Sequence, residues 1–158
     1  MGEEGQGSRS AGGKILAEHG AAIGRVCMAL LGDAREVERV LEQIARAAGA
    51  KSPAEGASVR AWIFGIARAE CANQLSKVPL RAVTHATGPV TERLGARAAT
   101  PARDALAKLK PTEREAVVLH TVGGLDLEEV AVACNVDVAT ARSRIAQGMQ
   151  KLMEGGVQ

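Results

Sequence analysis

An all-α fold of two small helical domains is what this 158-residue sequence predicts, on three observations. Apolar residues make up 46% of the chain, mostly Ala, Val and Leu, and Trp62 and Phe64 are its only aromatics. That composition suits helices packed on small side chains and disfavours a sandwich or barrel, which draws on aromatic and β-branched strands. Apolar positions recur at helical spacing through residues 15–75 and again after residue 102. Between these stretches, residues 78–101 hold three of the five prolines and no sustained periodicity, as a linker does.

Taken in order, residues 1–13 are Gly-rich, polar and acidic, and read as a disordered tail. A first domain follows over residues 14–77. Its first helix spans 15–31, with Ile23, Val26, Cys27, Leu30 and Leu31 on one side. Gly32 suits the position just past a helix end, and Asp33 can cap the next helix. That helix, 34–48, carries Val37, Val40, Leu41 and Ile44 as its apolar stripe. After a loop rich in Gly, Ser and Pro, Ser58 can cap a third helix with Val59, Trp62, Ile63 and Ile66 inward. Beyond the linker, a second domain covers 102–158. It opens with a short helix, and Pro111 falls where a first-turn proline is tolerated. A helix ending in two glycines follows, and then helices over 126–134 and 138–153.

Function classes narrow from the same residues. Twenty Lys+Arg against 18 Asp+Glu give no global basic field, so any DNA affinity must come from local clustering. Within residues 102–158 the count is seven basic against eight acidic, a net −1. The three cysteines, Cys27, Cys71 and Cys134, are far apart, form no CxxC pair and have apolar neighbours, as buried reduced thiols do. His19, His85 and His120 supply no ligand spacing, so no metal and no cofactor is expected. No paired carboxylates, nucleophile–base set or phosphate-binding glycine loop points to an enzyme. With no apolar run of membrane-spanning length, a cytoplasmic protein without membrane contact is expected.

The stretch GLDLEEVAVACNVDVATARSRIAQ, residues 124–147, has the outline of a helix-turn-helix. Such a turn commonly needs one residue in the left-handed region. Here it falls on Asn135, the type most tolerant of it after glycine. Val136 is spaced to plug the angle between the helices, Ala131 is small enough for close approach, and Asp137 or Thr140 can satisfy amides opening the second helix.

The segment from Ala105 to Leu152, with EEVA at 128–131 and TARSR at 140–144, resembles region four of extracytoplasmic-function sigma factors. The first domain resembles region two of the same family. ALLGDAREVERVLEQIARAA is similar to its core-binding helix, and SVRAWIFGIARAECANQL to its promoter-melting helix. The resemblance covers nearly everything after the tail and implies a bacterial transcription initiation factor. Core RNA polymerase and promoter DNA are the implied partners, together with an anti-sigma factor. Polymerase would meet Glu38, Arg39, Glu42 and Gln43. The −35 element would meet Thr140, Arg142, Ser143, Arg144 and Lys151, with both arginines on the solvent side of the last helix. Arg60 and Arg68 would contact the −10 DNA.

Departures from the family pattern cluster where partners would touch. Arg39 stands for the usual Asp, Glu42 for Gln, and Ala45 and Gly49 for Phe and Trp. Ala69, Asn73, Gln74, Ser76 and Lys77 replace the Asn, Asp and arginine pattern of the melting helix. Ala146, Gln147 and Met149 intervene before Lys151. Lost phosphate contacts weaken salt-dependent affinity, and lost aromatics remove base stacking worth about 1–3 kcal/mol per base. A divergent working factor is the preferred reading. The alternative is a degenerate sigma-like protein that binds polymerase or another regulator without melting promoter DNA.

Overall fold

The computed structural model describes residues 3–53, 55–77 and 101–156. Among them are seven helices and no strand: α1 (Glu3–Leu31), α2 (Ala34–Ala50), α3 (Val59–Lys77), α4 (Pro101–Ala107), α5 (Pro111–Thr121), α6 (Leu127–Cys134) and α7 (Val138–Gly156). The all-helical expectation holds. Nearly all of the expected linker, residues 78–100, lies outside the described residues.

α1 begins at Glu3, within the stretch that the sequence reads as a tail through Gly13. Gly5, Gly7, Gly12 and Gly13 made that stretch read as unstructured, since each costs about 1 kcal/mol against Ala in a helix. Once a packed segment has formed the nucleus, however, each added residue closes one more hydrogen bond at little further cost.

The joints of the first unit follow the local chemistry. Gly32 takes φ 81° and donates its N–H to the Met28 carbonyl at 2.9 Å, ending α1. Asp33 caps α2, its carboxylate accepting from the Arg35 amide at 2.8 Å. Ser58 caps α3 through its hydroxyl oxygen, which accepts from the Ala61 amide at 3.2 Å. The apolar stripes then close on one another, with Ile23, Val26, Val40, Ile44, Ile63 and Phe64 almost wholly excluded from solvent. Each such side chain contributes about 1.5–3 kcal/mol by burial. Cys27 and Cys71 meet between α1 and α3, both free and buried. The hydrogen bond between them, then burial, pushes the Cys71 thiol up, so it stays neutral.

In the second unit, the Arg114 guanidinium closes the end of α4, donating to the carbonyls of Leu106, Ala107 and Leu109 at 2.9, 3.1 and 3.1 Å. Pro111 occupies the first turn of α5, as expected. Asp126 and Glu129 form a reciprocal capping box on α6, with each side chain accepting from the other's amide. Asn135 takes the left-handed conformation, φ 56° and ψ 47°, and Val136 packs against the core behind it. Lys151 on α7 donates to the buried Glu113 carboxylate of α5 at 2.8 Å, and the Lys110 amide donates to the same oxygen at 3.2 Å.

The two units share a continuous core. α3 lies along α6, and Gly65 permits it: a Cβ there would sit 3.4 Å from the Ala133 backbone. Gly123 does the same for the end of α5, where a Cβ would come within 2.7 Å of the Leu119 carbonyl oxygen and 3.3 Å of the Phe64 ring. The double glycine after α5 is therefore more than a helix exit.

Two consequences are measurable. Asn135→Ala should lose about 1–2 kcal/mol to the left-handed backbone, and Asn135→Gly far less. Urea midpoints that ranked Ala level with Gly would contradict the turn assignment. The second concerns acid. The hydrogen bond from Lys151 holds the Glu113 carboxyl below its ordinary value of 4.5. The unfolded chain therefore takes up this proton first as pH falls, so the pair's stabilisation is present above about 4.5 and is lost on further acidification. Glu113→Gln should lower the urea midpoint at neutral pH and flatten its decline toward about pH 3.

Candidate nucleic-acid and polymerase interface

α7 presents the sequence-expected DNA side chains unequally. Ala141 is wholly buried and Ile145 packs against the core, so these two set the inward face. Arg142 and Ser143 are exposed, whereas Arg144 is half-buried and its charge acts on Glu115. The expectation that both arginines face solvent therefore holds for Arg142 alone. At 3.6 residues per turn, side chains two apart diverge by about 200°, so a single face cannot present both fully. Thr140 is committed to the helix start. Its amide donates to the Asp137 carboxylate at 2.7 Å, and its hydroxyl, with that amide, holds the Asp137 carboxyl below the usual range. The Ser143 hydroxyl oxygen accepts from the Gln147 side-chain amide at 3.3 Å.

The other three basic residues are engaged within the chain. Lys151 holds Glu113, as described above. Arg60 forms an ion pair with Glu129 at 3.1 Å and donates to the Gly124 carbonyl. Arg68 donates from Nε to the Ala133 carbonyl at 2.8 Å and pairs with Glu115 at 3.4 Å. Both α3 arginines thus point at the second unit. Burial pushes the Glu115 carboxyl above its usual range, against the pull of Arg68, Arg144 and Arg114. The Ser58 hydroxyl adds a longer contact to Glu129 at 3.4 Å.

The residues expected to meet polymerase form a true surface. Glu38, Arg39, Glu42 and Gln43 are all exposed on α2, opposite the buried Val37, Val40 and Ile44. Glu36 lies beside them; partial burial and then Asp33 push its carboxyl up, while Arg39 pulls it down. Sequence reasoning missed Glu115, Glu129, Gly65 and Gly123, which join the units. Glu129 carried a signal as the third residue after the Asp126 cap, but its partner Arg60 is 69 positions away. Among the described residues, no group of three or more His, Cys, Asp or Glu could hold a metal ion. No helix among them is long and apolar enough to cross a membrane.

Comparison with known proteins bears on this geometry. Residues 100–152 match the family described as Sigma-70, region 4. No curated protein sequence matches the chain. Among solved structures, the chain is similar to CnrH in a complex with the cytosolic domain of CnrY. That match has a TM-score of 0.71 at 20% identity and covers 95% of this chain and 92% of CnrH. It is similar also to the sigma factor RpoE from Bartonella quintana, in a complex with the anti-sigma factor NepR. There the TM-score is 0.68 at 23% identity, covering 89% of this chain and 92% of RpoE. Residues 100–152 thus match the sigma-70 region 4 family, and the chain as a whole shares the helical fold of CnrH and RpoE.

Proposed function

We propose that this protein is a transcription initiation factor of the extracytoplasmic-function type, docking on core RNA polymerase and directing it to promoter −10 and −35 DNA. The observation that carries this reading is the first two turns of α7. They leave Arg142 and Ser143 exposed on a helix whose inward face is fixed by Ala141 and Ile145. A helix held in that way can enter a major groove, where its N-terminal side chains meet base edges and flanking groups meet phosphates. Polymerase would dock on the exposed Glu38, Arg39, Glu42 and Gln43 of α2. CnrH and RpoE were each solved with a protein partner, RpoE's being named an anti-sigma factor, and this supports a partner of that kind here. Run-off transcription with core enzyme and a promoter library tests the proposal directly. Failure to start from any promoter overturns it.

A second reading is favoured by one observation: Arg60, Arg68 and Lys151 are occupied within the chain. A sigma-like protein that binds polymerase or a regulator without melting DNA would need none of them free. The two readings part on mutation of the α7 arginines. Arg142→Ala with Arg144→Ala should abolish sequence-specific binding, since an arginine–guanine contact contributes about 1–3 kcal/mol and Ala146 and Gln147 bring no charge. Helicity should not change. A double mutant that matches the parent in binding curves at two salt concentrations would favour the interaction-only reading.

Arg39 bears on polymerase docking. It places a positive charge where the family carries Asp, on a side chain free of core contacts. Arg39→Asp should strengthen capture by a generic core enzyme. Weaker pull-down would instead point to a dedicated partner that matches the arginine.

A further inference from the structure

We infer that the crest of α2 docks on an acidic helix of core RNA polymerase, with partner carboxylates placed opposite Arg35, Arg39 and Arg46. The inference rests on the docking role proposed for α2 and adds the chemistry of what α2 meets. Helical geometry carries it first. At about 100° per residue, Arg35, Arg39, Glu42 and Arg46 fall within about 60° of one another on α2. The buried Val37, Val40, Ile44 and Ala48 lie on the opposite side. All four crest residues are exposed. At about 1.5 Å of rise per residue, the three guanidiniums are spread over about 16 Å of helix.

The second observation is that these cations have no ionic partner within the chain. Among the described residues none of the three forms an ion pair, although Glu38 and Glu42 share their helix. The charge of Arg39 is felt by the Glu36 carboxyl without a direct pair. Arg60, Arg68 and Arg114, by contrast, are spent on carboxylates and carbonyls of the chain itself. The third observation is the shape beside Arg46. Ala45, Gly49 and Ala50 floor an open hollow of about 550 Å³ at the end of α2. A bulky apolar side chain of the partner fits there, next to the charge, as the anchors of interfaces do.

Chemistry selects the partner. A guanidinium fork takes carboxylate and phosphate oxygens alike. Glu38 and Glu42 stand within the same surface, however, and both repel the unbroken row of phosphates that a nucleic acid presents. A protein helix can alternate instead, with acids opposite the arginines and a lysine or amide opposite Glu42. Its rise per residue equals that of α2, so acids spaced by four and then seven residues keep register with all three arginines.

The full chain and core enzyme from the organism that encodes it provide the test. Arg39→Glu and Arg46→Glu each reverse one crest charge, and Lys108→Glu makes the same change at an exposed site on the second unit. Glutamate and arginine have similar helix propensity, so α2 should keep its stability. Binding of the parent should weaken as salt rises, and each crest reversal should weaken it tenfold or more at low salt. Lys108→Glu should bind as the parent does. With Arg39→Lys, a carbodiimide that joins amines to carboxylates should couple the new amine to an Asp or Glu of a polymerase subunit.

Crest reversals that weaken core binding no more than Lys108→Glu does overturn the inference, while the docking reading stands. Coupling that reaches no polymerase acid has the same meaning. Reversals that cost binding to a random-sequence DNA duplex, and not to core enzyme, would assign the crest to nucleic acid and overturn the inference. A parent that binds no core enzyme removes the docking reading and the inference together.

Discussion

One oxygen of the Glu129 carboxylate closes the first turn of α6 by accepting from the Asp126 amide, while the other meets Arg60 on α3. The same side chain therefore starts a helix and sets where that helix lies. Both roles are met only when α6 runs along α3, and the absence of a side chain at Gly65 lets it come near enough. From there the geometry is passed on. Asn135 turns the chain through the left-handed region, Val136 packs in behind it, and Asp137 starts α7 with its N-terminal residues facing outward. The direction in which Arg142 points is thus fixed by a contact made with the other unit.

That contact also bears on the charge balance of the second unit. Residues 102–158 hold eight acidic residues against seven basic ones, yet the sum misdescribes what the unit shows. Glu113 is buried against Lys151, and Glu115 and Glu129 face the α3 arginines. Asp126 and Asp137 spend their oxygens on the opening amides of α6 and α7, where a helix N-terminus favours negative charge. Arg142 is exposed and outside every ion pair among the described residues. Field at a surface depends on where charges sit, so a net of −1 is compatible with a locally positive α7.

Much of the fold was legible because the signals are local. The caps at Asp33, Ser58 and Asp126, the first-turn proline of α5 and the turn at Asn135 each follow from residues within a few positions of one another. The candidate site was legible in part: α2 does expose Glu38, Arg39, Glu42 and Gln43, and α7 exposes Arg142. What failed is long-range. Nothing near Arg60 or Arg68 in sequence announces Glu129 or Glu115, so a basic residue on a melting-type helix reads as a DNA contact by default. The meeting of Cys27 with Cys71 was hidden for the same reason. Arg144 is different, because its spacing from Arg142 already held the answer and helical geometry alone separates the two.

The places where the sequence departs from the sigma-factor resemblance then have a physical basis. Leu30, Ile63 and Ala131 pack in the core, and changing any of them would leave a cavity or a clash costing several kcal/mol. Arg39, Glu42 and Ala45 are exposed on α2, where substitutions commonly change stability by less than about 0.5 kcal/mol. Surface chemistry can change there at almost no structural cost. On α3 the opposite holds for Arg60 and Arg68, since each now also supports the contact between units. Substitution of either arginine would break an ion pair and a carbonyl hydrogen bond that join α3 to the second unit, which a change at Arg39 or Glu42 would not.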